Sequence, residues 1–167
     1  MAGHSAIPKL TLDTNLIFEY WKKGRKLRVV KSLLDLATSG KVDLAVTARI
    51  HEDVPIEPLA SRLNELPLLG ISETGSVARV GHWVIGRDML GDPGFDDYYM
   101  TACALAKQRG EEPPDWRDWD HLHSHFLQGR DYFLTWDKGI LCLEQELREL
   151  FGIVVLLPEA ALERLRC

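Results

Sequence analysis

Short apolar runs alternate with longer segments of helical periodicity along almost the whole chain, and this alternation limits the possible folds more than any other feature. Residues 9 to 14, "KLTLDT", alternate polar and apolar and then reach Asp13-Thr14-Asn15, residue types that favour turns and helix N-caps. A strand running into a helix is expected there. "RKLRVVKSLLDLATSG" repeats apolar residues at helical spacing and stops at Gly40, as a capped helix does. "VDLAVT" reads as a second strand, "ARIHEDVP" as a short helical turn ended by Pro55, and "EPLASRLNELPLL" as a further amphipathic stretch. "ETGSVARVGHWV", 73–84, matches neither period, and residues 70 to 95 acquire no role. "GDPGFDD" reads as a loop, "DDYYMTACALAKQRG" as a helix ending at Gly110, and "DWDHLHSHFLQG" as a helix feeding the strand "DYFLT". "DKGILCLEQELRELFG" predicts one more helix, "IVVLLP" a short buried strand, and "EAALERLR" a closing helix after Pro158. Strand–helix alternation favours right-handed crossovers, so the expected fold is α/β: a three-layer α/β/α sandwich around a central, mainly parallel sheet. With 167 residues, 46% of them apolar, the chain 1–167 is expected to form a single domain.

The net charge of −5 argues against a generally basic coat for nucleic acid, yet one segment departs from that balance. "KKGRKLRVVK", 22–31, holds six of the twenty basic residues: Lys22, Lys23, Arg25, Lys26, Arg28 and Lys31. The N-terminal ten residues contain no apolar core of a secretory signal, and no apolar run approaches a membrane span, so a cytoplasmic protein without membrane attachment is expected. Cys103, Cys142 and Cys167 are scattered and lack C-x-x-C spacing, which leaves reduced thiols as the natural reading.

In an open parallel sheet, ligands bind beyond the carboxyl ends of the strands. Asp13 follows "LTL" and Asp137 follows "YFLTW", so both fall at one rim if those strands are neighbours. Asp118 opens the helix "DWDHLHSHFLQG", while Glu52 and Asp53 lie just beyond the second strand. Each carboxylate alone is explained as a helix cap worth about 1 kcal/mol. Gathered together they are not, because a pair of unit charges about 5 Å apart costs roughly 3 kcal/mol at an effective dielectric of about 20. Unless the groups are kept apart or some are protonated, a divalent cation is the natural remedy, and ligands that are all oxygen select Mg²⁺ or Mn²⁺ over zinc. Such a site suits phosphodiester hydrolysis.

These stretches resemble the PIN domain, a family of Mg²⁺- or Mn²⁺-dependent nucleases, mostly ribonucleases. "LTLDTN" is similar to the family's opening strand and places the first metal-binding acid at Asp13. "DWDHLHSHFLQGRDYFLTWD" resembles its third motif and fourth strand, making Asp118 the third acid, His121 the helical histidine, and Asp137 the fourth acid behind Thr135. "VDLAVTARIHEDV" resembles the second motif, with the second acid at Glu52 or Asp53. Asp120 and Asp97 imitate the third-motif acid, but the glycine and Thr-x-Asp spacing favours Asp118. The resemblance implies catalytic roles for Asp13, Glu52, Asp118 and Asp137, with metal ligands drawn from these and Asp53. It implies RNA as substrate. Many compact bacterial members are toxins held inactive by a small antitoxin and often dimeric, so an antitoxin-like partner and a homodimer are further expectations.

Other residues admit two readings each. His121, His123 and His125 alternate as in the metal-binding motif of metallo-β-lactamase-like hydrolases, but that motif belongs in a loop; on a helix His121 and His125 share a face and His123 does not. His121 is expected either to orient Asp118 or approach a phosphate, or to be a satisfied structural histidine. The basic run is either an electrostatic track for RNA, with Lys22 and Lys23 the best placed, or a solvated helix face. Trp116, Trp119 and Trp136 flank two of the acids and either stack on unpaired bases or pack into the core. Asn15 and Thr135 either bind substrate or metal-bound water beside the acids or close local turns. The rival to a nuclease is a PIN-like module that binds RNA or protein without catalysis.

Overall fold

A computed structural model describes residues 6–54, 56–79 and 84–166. Residues 1–5 of the N-terminal stretch that lacks a signal-like core fall outside these residues, as do Pro55 and Cys167; Cys103 and Cys142 are free thiols. Among the described residues no helix is long and apolar enough to cross a membrane.

Five strands, β1 (Lys9–Leu12), β2 (Asp43–Thr47), β3 (Ile71–Thr74), β4 (Tyr132–Leu134) and β5 (Val155–Leu156), form one sheet in the order β3-β2-β1-β4-β5, and every pairing is parallel. Side-chain alternation sends each strand's residues to two cores. Leu10, Leu12, Leu44, Val46, Leu134 and Leu156 point to the face covered by α1 (Thr14–Lys22), α2 (Leu27–Thr38) and α8 (Pro158–Arg166). Phe133 and Val155 point to the opposite face, beneath α4 (Pro93–Gln108), α5 (Trp116–Leu127), α6 (Lys138–Leu141) and α7 (Glu144–Phe151). The result is the expected α/β/α sandwich.

Polar residues on that second face explain the histidines of α5. Thr47 Oγ1 lies 2.5 Å from His121 Nδ1 and Thr11 Oγ1 lies 2.8 Å from His125 Nδ1, so two histidines one turn apart dock on two sheet threonines. His123 leaves that line and accepts a hydrogen bond from the Asp92 backbone N–H (2.7 Å). The three rings do not converge.

The structure departs from the sequence reading at several boundaries. β3 went unread because it has four residues, an edge position and a single buried side chain. "GDPGFDD" is mostly helix, since α4 begins at Pro93 with Asp92 as its N-cap. Residues 137–152 form two helices rather than one. The stretch 60–69 is a 3₁₀ helix, holding Pro67 and burying Leu63 and Leu66 at the i, i+3 spacing that a three-residue turn repeats. Residues 75–79 and 84–92 cover α5: Val77 N–H donates to Ser124 Oγ (3.0 Å), and Ala78 N–H donates to Met89 O (2.7 Å).

Candidate active site at the switch point of the sheet

Strand order reverses between β1 and β4, the crevice where an open parallel sheet presents its loops. Asp13 ends β1 there, and its N–H donates to Leu134 O of β4 (3.0 Å). It precedes α1 in the N-cap position, yet its side chain makes no capping bond. Asp13 Oδ2 instead accepts from Thr135 Oγ1 (2.5 Å) and Asn15 Nδ2 (2.6 Å). A carboxylate withdrawn from capping and held by two neighbours is being aimed rather than used locally. Asp137 does cap: its Oδ1 accepts from Ile140 N–H (3.0 Å), and its own N–H donates to Thr135 Oγ1 (2.8 Å). Thr135 thus ties both strand-end acids together.

Asp118 arrives from α5, but it does not open that helix. Asp115 is the N-cap, and Asp118 is the third helical residue, accepting from Asp115 N–H (3.2 Å) to complete a capping box. The loop before it is pressed against α6, where a Cβ on Gly139 would stand 2.0 Å from Glu112 O. Only glycine permits that approach. Asp53, from the single-turn helix α3 (Ile50–Asp53), accepts through Oδ2 from Thr14 Oγ1 (2.5 Å) and contacts His121 Nε2 (2.8 Å).

Asp13, Asp53, Asp118 and Asp137 therefore line one cavity of about 300 Å³, together with Asp115, Thr14, Asn15, Phe18 and Arg117. A second cavity of about 500 Å³ adjoins it, sharing Asp115, Asp118 and Asp137 and adding Glu111, Glu112, Trp136 and Lys138. Burial followed by the charges of Asp13, Asp115 and Asp137 pushes the Asp118 carboxyl up to about 7. Burial likewise raises Asp13, against the opposing pull of His121 and Thr135. Burial opposes charge on His121, but the Asp53 hydrogen bond and the surrounding carboxylates reverse the effect and raise its pKa; Asp53 is correspondingly held low despite its own burial. His121 and Asp53 are paired at 2.8 Å at the back of the cavity, while Asp118 and Asp13 bear the cost of burial and crowding.

Not every anticipated residue arrives at this cavity. Glu52 is turned to the buried Arg49, so Asp53 takes the place beside the other acids. His121 is fully buried behind Asp53 and reaches neither Asp118 nor a solvent-borne phosphate. Asn15 and Thr135 act on Asp13 itself. Lys22 lies over the Phe18 ring, 5.2 Å from its centroid, and Lys23 lines a separate cavity. Asp97 is exposed on α4, and Asp120 faces away into an arginine network. Trp119 is core, Trp116 is 46% exposed, and Trp136 donates to Glu159 Oε2 (2.9 Å) at the rim of the second cavity. Sequence reading missed Asp115 and Arg117. The signal for Asp115 was present in "PPDWRD", where an acid after two prolines and another three residues on is a capping-box pattern.

The donor set matches a hard cation. The acidic groups lining the cavity offer carboxylate oxygens, and Asn15 Oδ1 is buried beside them with no hydrogen-bond partner. Among the described residues, however, no group of three or more His, Cys, Asp or Glu side chains is already drawn in around a single ion position. No protein-family model and no curated protein matches the chain, so geometry and chemistry are what define the site.

Proposed function

We propose that the chain is a Mg²⁺- or Mn²⁺-dependent ribonuclease of the PIN-domain type. The observation that supports this most is the meeting of Asp13, Asp53, Asp118 and Asp137 in one cavity at the switch point, with Asp118 raised to about 7 by burial and then by the charges of its neighbours. A cation there would polarise a phosphoryl oxygen and acidify its bound water, so no protein nucleophile is required. The chain's own residues prepare for this. Thr135 and Asn15 fix Asp13, and the imidazole of His121 fixes Asp53, so two carboxylates are oriented before substrate arrives. Arg117, on the cavity wall, offers a guanidinium to the phosphate that carboxylates alone would repel. Cleavage of end-labelled single-stranded RNA, with and without Mn²⁺, is compared for the wild type, Asp13→Asn and Asp137→Asn. Metal-dependent cleavage by the wild type alone is expected; equal cleavage by all three rejects the assignment.

The second reading is a PIN-like module that binds without catalysis. It is favoured by the absence, among the described residues, of carboxylates already gathered around one ion position. A rise in melting temperature with Mn²⁺ that Asp118→Asn abolishes would decide for the first, because a ligand of the folded state must raise the midpoint.

A further inference from the structure

The basic run of residues 22–31 is not a uniform solvated face. Lys23 and Lys31 line a cavity of about 300 Å³ with Tyr20, Leu27, Arg62 and Glu65, so the run contributes cations to one concave site completed by the 3₁₀ helix. Arg62 is held there by donating to Trp21 O (3.5 Å) and lying 5.3 Å from the Trp21 ring centroid. Its single acid partner within the cavity is the half-exposed Glu65, 3.8 Å away, leaving an excess of positive charge. Lys23 ends α1 in the left-handed conformation (φ 51°), which a non-glycine residue rarely adopts.

The place of this cavity gives it meaning. α1 has nine residues, so its two ends stand about 14 Å apart at 1.5 Å per residue. Asp13 and the carboxylate cavity lie at its N-terminal end and the basic cavity at its C-terminal end. The ground between them is not bare. Phe18 lines the carboxylate cavity and carries Lys22 over its ring, while Lys26 Nζ sits 4.4 Å over the ring of Trp136, the residue before Asp137. These cations stand beside the two carboxylate-lined cavities, where they suit backbone phosphates.

We propose that Lys23, Lys31 and Arg62 form a second, non-reacting site that holds backbone phosphates of single-stranded RNA a few nucleotides away from the carboxylate cavity. This rests on the proposed function for the identity of the polyanion, and it makes the substrate a strand rather than a mono- or dinucleotide.

Binding of a labelled single-stranded RNA 20-mer is measured by fluorescence anisotropy in EDTA across a salt series. The triple variant Lys23→Gly, Lys31→Gln, Arg62→Gln is expected to weaken binding at least tenfold and to flatten the slope of log K against log salt by about 2, since each neutralised phosphate on a single strand contributes about 0.7. Lys23→Gly alone relieves the left-handed backbone and should cost about 0.7 of slope with no loss of melting temperature. Undiminished affinity and slope in both variants overturns the proposal whatever the wild type cleaves. Equal competition by poly-glutamate and by unlabelled RNA also overturns it, assigning the cavity to an acidic protein. Hydrolysis of bis(p-nitrophenyl) phosphate by the wild type with Mn²⁺ reports separately on the carboxylate site. If that hydrolysis is absent while the variants still lose RNA affinity, the proposed activity fails and the phosphate site stands.

Discussion

Asp118 and Asp120 are two residues apart on α5 and meet opposite fates. Asp118 faces Asp13, Asp115 and Asp137 across the first cavity and is pushed towards its protonated form. Asp120, rotated about 200° around the helix, is buried between two guanidinium groups. Arg79 donates to Asp120 Oδ1 through Nε (2.9 Å) and to both oxygens of Asp96 (2.7 and 2.8 Å). Arg49 Nη2 lies 3.0 Å from Asp120 Oδ2, off the hydrogen-bond direction, while its Nη2 also donates to Val77 O (3.1 Å). One region matches each acid with a base and ties residues 75–79 to α5; the other crowds acids with little relief. Opposite charges serve packing in the first case, and like charges are crowded around an open cavity in the second.

The largest effect that separates the regions is on stability. Asp120→Asn leaves Arg49 and Arg79 short of a buried partner and should destabilise the fold by about 3–5 kcal/mol, measured by urea unfolding. A loss below about 1 kcal/mol would show that the network is not holding the segment. Asp13→Asn should leave folding intact or improved but lower Mn²⁺-dependent RNA cleavage at least about 100-fold, equivalent to roughly 2.7 kcal/mol of barrier.

The pH signatures have opposite signs. Asp118 is raised in the folded protein, so its contribution is fully present below the unfolded value near 3.8 and is lost as pH climbs through about 7. In EDTA the wild type should therefore lose melting temperature between pH 4 and pH 7 relative to Asp118→Asn, by a few degrees; parallel curves would refute the crowding. Asp96 is lowered, first by its hydrogen bond to Arg79, so its contribution is present above 3.8 and lost as pH falls below it. With 36% of its side chain exposed, Asp96→Asn should cost under about 1 kcal/mol at pH 7 in a thermal melt.

Periodicity carried the layers, four of the five strands and the two strand-end acids, because buried strands and amphipathic helices write their spacing directly into the chain. It could not choose between Glu52 and Asp53. Adjacent residues of a single helical turn diverge by about 100°, and what separates them is the buried Arg49, which takes Glu52 and leaves Asp53 to Thr14 and His121. Nor could it foresee the arginine network, whose members Arg49, Arg79, Asp96 and Asp120 come from four separate segments without a common motif. Those pairings exist only once the fold has formed.

The pairing of β1 with β4 also sets a timetable. Asp13 and its anchor Thr135 are 122 positions apart, so the first strand emerges from the ribosome long before its neighbour on that side has been translated. At about 5–20 residues per second, the nascent chain waits roughly 6–24 s with the sheet's middle strand open along one edge. During that interval the carboxylates remain dispersed, and the β4-facing edge of β1 stays unpaired because β2 occupies the opposite edge.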